Sequence, residues 1–298
     1  MWLGLAVLSA LFLGFYDVSK KHSLKDNAVI PVLWLNTFFC SLIMLAPTLM
    51  SAAGMIPEGS TFYVCRADAH THLLILLKAS IVLGSWVFGY FGMKHLPLTL
   101  FGPINATRPV LVLLGGMIVF GERLNLYQWI GVVIAAISFY MLRASGKKEG
   151  YDFGSNVWVL CVIAATLLGA VSALFDKYLL RQYDNMLVQS WSNFYQLALM
   201  TIGLLVFWMP KRSSGTPFQW RWSIVLISVF LTMADYAYFY ALTSSASMIT
   251  IVSMIRRSSV VVSFLCGALL FHEKNLRSKA VDLALVLIGL FFLLIGSM

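Results

Sequence analysis

Charge is what this sequence has least of. Only 11% of its 298 residues are charged, and 12 of these are acidic against 21 basic. A soluble domain carries about 25% charged residues and about 45–50% apolar ones, whereas 60% of this chain is hydrophobic. So few charges cannot cover a water-facing surface, which excludes a soluble enzyme and a disordered chain. Cysteine is scarce too: Cys40, Cys65, Cys161 and Cys266 follow no metal or disulfide spacing, which excludes a secreted disulfide scaffold. Three of the four lie in apolar runs and read as packing residues. The chemical motifs are also missing. There is no His-Glu-x-x-His, no Gly-x-Ser-Gly, no Gly-x-Gly-Asp to partner Tyr16-Asp17, and no Walker loop. Neither an enzyme, a cofactor nor a bound metal is expected. The net charge of +9 does not signal nucleic acid, because basic residues in a membrane protein gather in its cytoplasmic loops.

Long apolar runs are abundant. They cover about 2–19, 29–50, 73–93, 98–120, 126–142, 156–175, 187–209, 222–242, 246–271 and 280–297. A spanning helix needs about 20 mostly apolar residues, so the pattern predicts ten crossings with almost no extramembrane domain. Barrel strands would show short alternating stretches, and these runs are continuous. The expected fold is an all-α polytopic membrane protein. Met1–Phe15 lacks a basic leader and reads as the first span, not as a cleavable signal.

Alternate loops share a compartment. On one side lie Lys20, Lys21, Lys25, Lys94, Arg143, Lys147, Lys148, Lys211, Arg212, Arg221, Lys274, Arg277 and Lys279; on the other, Arg66, Lys78, Arg123, Lys177 and Arg181. The basic side is the cytoplasmic one, which places both termini outside the cytoplasm. The setting expected for such a chain is a bacterial inner (plasma) membrane.

The basic connection Arg143–Asn156 divides the chain into two five-helix halves, 1–145 and 155–298. Segment four runs as Val110…Gly116-x3-Phe120-x-Glu122-Arg123, and segment nine as Val261…Gly267-x3-Phe271-x-Glu273-Lys274, at a constant offset of 151. Tyr90-Phe91 and Tyr238-Phe239 precede them. Segments one and six both carry Leu-Gly, at 13–14 and 168–169. Five crossings is an odd number, so equivalent helices run in opposite directions. That is an inverted repeat, the architecture of many secondary transporters.

With its two five-helix halves and duplicated (Gly/His)-Glu-(Arg/Lys) turn, the chain resembles the EamA-type members of the drug/metabolite transporter superfamily over essentially its whole length. Within segment nine, Thr250-Ile-Val-Ser-Met-Ile-Arg256-Arg257-Ser258-Ser259 resembles the basic pair of the nucleotide-sugar and triose-phosphate branches. The Thr-Thr that precedes the pair in nucleotide-sugar carriers is absent. The resemblance implies that the pair faces a central cavity and binds substrate phosphate.

Polar groups at bilayer depth are the candidate site, since each is costly unless paired or wet. Arg256 and Arg257 lie halfway along segment nine. Adjacent residues point about 100° apart on a helix, so both are not expected to face a single counter-ion. Either at least one guanidinium lies in a central cavity as a fork for carboxylate or phosphate, or the arginine forms a structural ion pair with Asp235. Arg108 stands at the matching depth of segment four, in Gly102-Pro103-Ile104-Asn105-Ala106-Thr107-Arg108-Pro109, with Asn105 on its face. Proline and glycine here predict an interrupted helix of the kind that lines transporter sites. Asp235 can neutralise an arginine, bind an amine or carry a proton. Asp17, Asp176 and Asp282 lie near span ends and read as interfacial. Tyr236 with Tyr240, and Trp86 with Tyr90, form aromatic pairs that fit either substrate stacking or packing. Asn36, Asn193 and Gln196 fit bonds between helices.

The sequence therefore predicts a secondary transporter of a small anionic or zwitterionic metabolite. Arg256, Arg257 and Arg108 would anchor acid groups, while Asn105, Asp235, Tyr236, Tyr90 and Trp86 shape the rest. Its partners are the lipid bilayer, a small-molecule substrate and, as coupling ion, the proton, in a monomer or weak homodimer without nucleic acid. The rival readings are a proton-coupled exporter of amino acids or cationic drugs using Asp235, and a non-transporting scaffold or lipid-handling protein.

Overall fold

The structure is a computed structural model that describes residues 2–121, 123–180, 182–212, 216–242, 255–273 and 276–297. The described chain is helical, without strands. Its helices are α1 (Trp2–Leu24), α2 (Val29–Ala52), α3 (Ala69–His95), α4 (Leu98–Ala106), α5 (Arg108–Phe120), α6 (Leu126–Lys148), α7 (Val157–Leu179), α8 (Asn185–Gly203), α9 (Ser223–Leu242), α10 (Ser259–Leu270) and α11 (Leu276–Ser297). A π turn (Leu204–Trp208) and a 3-10 turn (Met209–Lys211) prolong α8, and a helical turn at 255–257 precedes α10.

Lipid offers no partner to a backbone N–H or C=O, so each crossing must satisfy its own as a helix. Among the described residues, seven stretches are long and apolar enough to cross a membrane: six are α1, α2, α3, α6, α7 and α11, and the seventh joins α4 to α5. The other three expected crossings fall on α8 with its continuation, on α9, and on 255–257 with α10. The termini of several helices are closed by side chains. Asp68 accepts from the Thr71 amide at 3.1 Å ahead of α3, and its hydrogen bonds to Thr71 hold its carboxyl below the usual carboxylate range. Asn125 and Gln128 form a reciprocal capping box at α6. Asn156 and Asp184 cap α7 and α8.

The packing pairs follow the repeat. The first helix of each half lies on the third of the other, as α1 on α9 and α7 on α3. Second pairs with second (α2 with α8), fourth with fourth (α4 with α10) and fifth with fifth (α6 with α11). Exchanging the halves returns the same set of contacts, as a pseudo-two-fold requires. The fifth-helix pair is close because it lacks side chains where the backbones meet. A Cβ on Gly131 would lie 2.8 Å from the Gly289 carbonyl oxygen, and one on Gly289 would lie 3.2 Å from that of Gly131. Small residues let helices approach within a membrane in this way. Polar bonds add to the second-helix seam: Ser41 donates to the Asn193 carbonyl at 2.9 Å, and Ser228 of α9 donates to the Asn36 side chain at 3.1 Å. The four cysteines are free. Exposed apolar side chains such as Ile118, Val119, Leu269 and Leu270 present a lipid-facing exterior.

Three charges lie deeper than their sequence positions suggest. Asp282 is fully buried between α11 and α6, where Ser145 donates to its carboxylate at 2.8 Å. Lys279 is fully buried, paired with Glu149 at 2.8 Å. Asp17 faces the core because α1 continues to Leu24, past the expected border at 19. Each is enclosed by protein instead of lying open at a helix end.

Candidate functional site

Both fourth helices break at equivalent places. Between α4 and α5 the break is at Thr107, and before α10 it is at Ser258, 151 positions later. Each hydroxyl turns back to the carbonyl three residues earlier, Thr107 to Ile104 at 2.7 Å and Ser258 to Ile255 at 2.6 Å. Each backbone N–H bonds that same carbonyl, at 3.2 and 3.0 Å. A hydroxyl thereby offers the backbone an alternative to the helical ladder. Prolines made the first break legible in the sequence; the second has none.

The arginines cluster at these breaks. Arg108 opens α5 and donates to the Asn105 side chain at 2.8 Å, while its buried Nε has no hydrogen-bond partner among the described residues. Its guanidinium lies against Gly169 of α7, where a Cβ would approach within 2.6 Å of Nε and Nη2. Arg257 shares a small cavity of about 20 Å³ with Asp17, Gly102, Asn105, Ala106, Ser259 and Val260. That is room for about one water molecule.

Asp17 is the carboxylate at this cluster, and the sequence reading missed it. It lies 3.8 Å from Lys20 and accepts from Ser263 at 3.1 Å. Lys20, counted above with the loop cations, is buried among three rings, with its Nζ 4.7 Å from the centroid of Tyr16, 4.8 Å from Tyr90 and 5.4 Å from Phe101. Such rings stabilise a desolvated ammonium through their negative faces. The i,i+3 spacing of Asp17 and Lys20 was the available signal; the early helix border hid it.

The adjacent pair divides its work, as the 100° rotation between neighbours requires. Arg256 is ion-paired with Asp235 and lies 4.5 Å from the Tyr238 ring centroid. Tyr90 is fully buried in the main core, with Trp86 half-buried against the same cluster. Tyr236 is not brought to the centre: it is half-exposed and stacks on Phe62 of the 53–68 loop at 5.4 Å. The side chain of Tyr240, with Glu122, Lys274 and residues 250–254, lies outside the described residues.

The duplicated glutamate has a visible role in one half. Glu273 accepts from the backbone N–H groups of Leu98 and Thr99 at 2.5 and 2.8 Å, and from the Thr99 hydroxyl at 2.5 Å. Glu273, just past α10, thus caps the start of α4, and carboxylates are favoured at helix N-termini. Lys279 donates to the same Thr99 hydroxyl at 3.0 Å. Beside it Lys21 donates to the Met93 and Leu96 carbonyls at 2.8 and 2.5 Å. A basic vestibule of about 650 Å³ opens at this end, lined by Lys21, Lys25, Lys94 and His95 among others.

The EamA-like transporter family matches the chain twice, over residues 1–144 and 156–295. The chain belongs to the EamA-like transporter family. That family lies within the drug/metabolite transporter superfamily, and the long apolar helices are of the kind that cross a bilayer. This EamA-like protein is 21% identical over 145 residues to an uncharacterized transporter of Archaeoglobus fulgidus, covering 48% of this chain and 49% of that one. It is 24% identical over 201 residues to the uncharacterized transporter YvbV of Bacillus subtilis, covering 65% of this chain and 62% of that one. The matches thus span about half and somewhat under two-thirds of those relatives. A crystal structure with 16% identity shares the fold at a TM-score of 0.66, over 98% of this chain and 97% of its own.

Proposed function

We propose that this EamA-like transporter is a secondary active carrier that moves a small anionic or zwitterionic metabolite by alternating access. The observation that carries the reading is the convergence of Arg108 and Arg257 on Asn105 and the small cavity at the two helix breaks. Guanidinium groups match carboxylate and phosphate oxygens with paired donors. Their place between the fourth helices of opposite halves suits a site exposed alternately to the two sides as the halves rock. Arg256 and Asp235 hold each other, which leaves Arg257 and Arg108 as the anchors and speaks against Asp235 as an open amine site. Tyr90 borders the site through the ring cage around Lys20, and Trp86 packs against the same core.

Uptake of labelled succinate, glutamate and inorganic phosphate into proteoliposomes tests this. Removing a guanidinium that bonds a charged group costs about 1.5–3 kcal/mol, so Arg257→Ala and Arg108→Ala are each expected to weaken apparent affinity about tenfold or more. Unchanged affinity in both variants for every transported anion would refute the anchoring role.

We place the basic loop end in the cytoplasm and both termini outside, in a bacterial inner membrane. Thirteen basic residues lie on that side of the sequence map against five on the other. A cysteine appended to the C-terminus is expected to react with a membrane-impermeant maleimide in intact cells with a permeabilised outer layer. Labelling only after lysis would invert the map.

A further inference from the structure

We propose that the basic vestibule is a phosphomonoester-binding site in its own right, distinct from the arginine cluster at the helix breaks. The phosphate arrives either as the headgroup of an acidic phospholipid or on a small soluble molecule. The site stands or falls apart from the cargo of the centre.

Its walls come from both halves and are held in place. α1 and the turn after it supply Lys21, Lys25 and Asp26, α3 supplies Lys94, and the connection before α9 supplies Thr216 and Gln219. That connection is stitched to the end of α1. Asn27 donates to the Gln219 carbonyl at 2.7 Å and accepts from its N–H at 2.8 Å, while Arg221 donates to the His22 carbonyl at 2.7 Å. Lys94 donates to the Thr216 hydroxyl at 3.1 Å, and His95 lies flat on Trp158 of α7 with ring centroids 3.6 Å apart. The volume of about 650 Å³ falls within the about 300–1,000 Å³ of small-molecule sites. The vestibule shares no residue with the central cavity. Along α1, Lys20 in its ring cage lies between Asp17 and Lys21.

What the vestibule lacks is negative charge. It gathers the ammonium groups of Lys21, Lys25 and Lys94 against the one carboxylate of Asp26. The ion pairs among the described residues lie elsewhere, on Lys20, Lys78, Arg256 and Lys279. A cleft lined by one sign of charge focuses its field between low-dielectric walls and concentrates counter-ions. Three cations less one anion leave about two positive charges, and a phosphomonoester carries about −1.5 to −2 at neutral pH. A single carboxylate supplies only one. Donors remain for the phosphate oxygens. Lys21 gives two N–H groups to the Met93 and Leu96 carbonyls, and an ammonium has three. The Gln219 side-chain oxygen accepts from Arg221 at 3.2 Å, which leaves its NH2 group. Lysines that only orient a membrane protein need no enclosure, whereas Lys21 and Lys94 are half-buried and held by hydrogen bonds. Basic pockets between membrane helices at the cytoplasmic face take phospholipid headgroups. Lys21 also covers the end of α3, where the helix dipole favours a cation, so Lys25 and Lys94 are the residues to probe.

The test uses full-length protein in phosphatidylcholine nanodiscs. Acylation of each lysine by a water-soluble N-hydroxysuccinimide ester is followed by mass spectrometry. One arm adds glycerol 3-phosphate, and the other places phosphatidic acid in the disc. In one arm or both, Lys25 and Lys94 are expected to react about tenfold more slowly once the phosphomonoester is in about tenfold excess over its Kd. Lys147, exposed at the same end, is expected to react as before. Slowing by glycerol 3-phosphate identifies a soluble ligand, and slowing by phosphatidic acid alone identifies a lipid headgroup. In Lys25→Gln, half-protection of Lys94 is expected to need about tenfold more of the same phosphomonoester, the worth of one charged hydrogen bond. Lys25 is exposed, so this variant keeps its fold. No slowing in either arm, slowing shared equally by Lys147, or unchanged protection in Lys25→Gln overturns the proposal. None of these readouts involves Arg108 or Arg257, so such a result leaves the anion-carrier reading standing.

Discussion

Replacing Lys279 by methionine is expected to destabilise the protein by about 3–5 kcal/mol, the cost of breaking a buried ion pair from one side. The ammonium is wholly inaccessible. It bonds Glu149 at 2.8 Å and the Thr99 hydroxyl at 3.0 Å, and that hydroxyl in turn donates to Glu273. Without Lys279, Glu149 loses its ion-pair partner and the Thr99 hydroxyl loses a donor. The measurement is the thermal midpoint of the purified protein in detergent. A double variant, Lys279→Met with Glu149→Leu, is expected to recover most of the loss, since removing both charges also removes the uncompensated one. The pair between Lys78 and Asp176 gives the contrast. It is 3.1 Å long, but the Asp176 side chain is 35% exposed, and Asp176→Asn is expected to cost no more than about 1 kcal/mol. Equal losses at the two places would show that burial of Lys279 does not govern its contribution.

Gly169→Ala is expected to impair transport by an indirect route. The added methyl group would lie within 2.6 Å of Nε and Nη2 of Arg108, so the guanidinium must move and give up its 2.8 Å bond to Asn105. A hydrogen bond from a charged group is worth about 1.5–3 kcal/mol, and the expected loss of apparent anion affinity is about tenfold to hundredfold. Gly14→Ala is the matched control in the other half. Its methyl would meet Val262, an apolar neighbour, so the variant should lower the thermal midpoint and leave anion affinity close to the wild-type value. If Gly169→Ala binds as the wild type does, Arg108 is not held in place by the space at Gly169.

The Leu-Gly pairs at 13–14 and 168–169 show how far sequence comparison reaches. The repeat was visible as letters; that one glycine makes room for a valine and the other for an arginine was not. The same holds for Glu273. Its duplication with Glu122 marked the repeat, but a cap that joins the end of α10 to the start of α4 brings together residues 174 positions apart. No local pattern carries that information. Arg256 and Arg257 were legible as a pair with divergent faces, because helix geometry fixes the angle between neighbours. Which of them meets Asp235 depended on where α9 packs. Tyr236 was expected to line the site, and it stacks on Phe62 instead, since the direction of a face on a nearly all-apolar helix is set by its neighbours.

By itself the sequence determined the class of the protein, its ten-helix inverted repeat, the broken fourth helix and the arginines at depth. Each follows from a local rule: the length of an apolar run, the parity of the crossings, the effect of proline, the cost of charge in lipid. Tertiary structure alone decided the second break at Ser258, the burial of Asp17, Lys20, Lys279 and Asp282, and the partner of each charge. A charge in a membrane is stabilised by groups from other helices. Its role is therefore fixed only when those helices are in place.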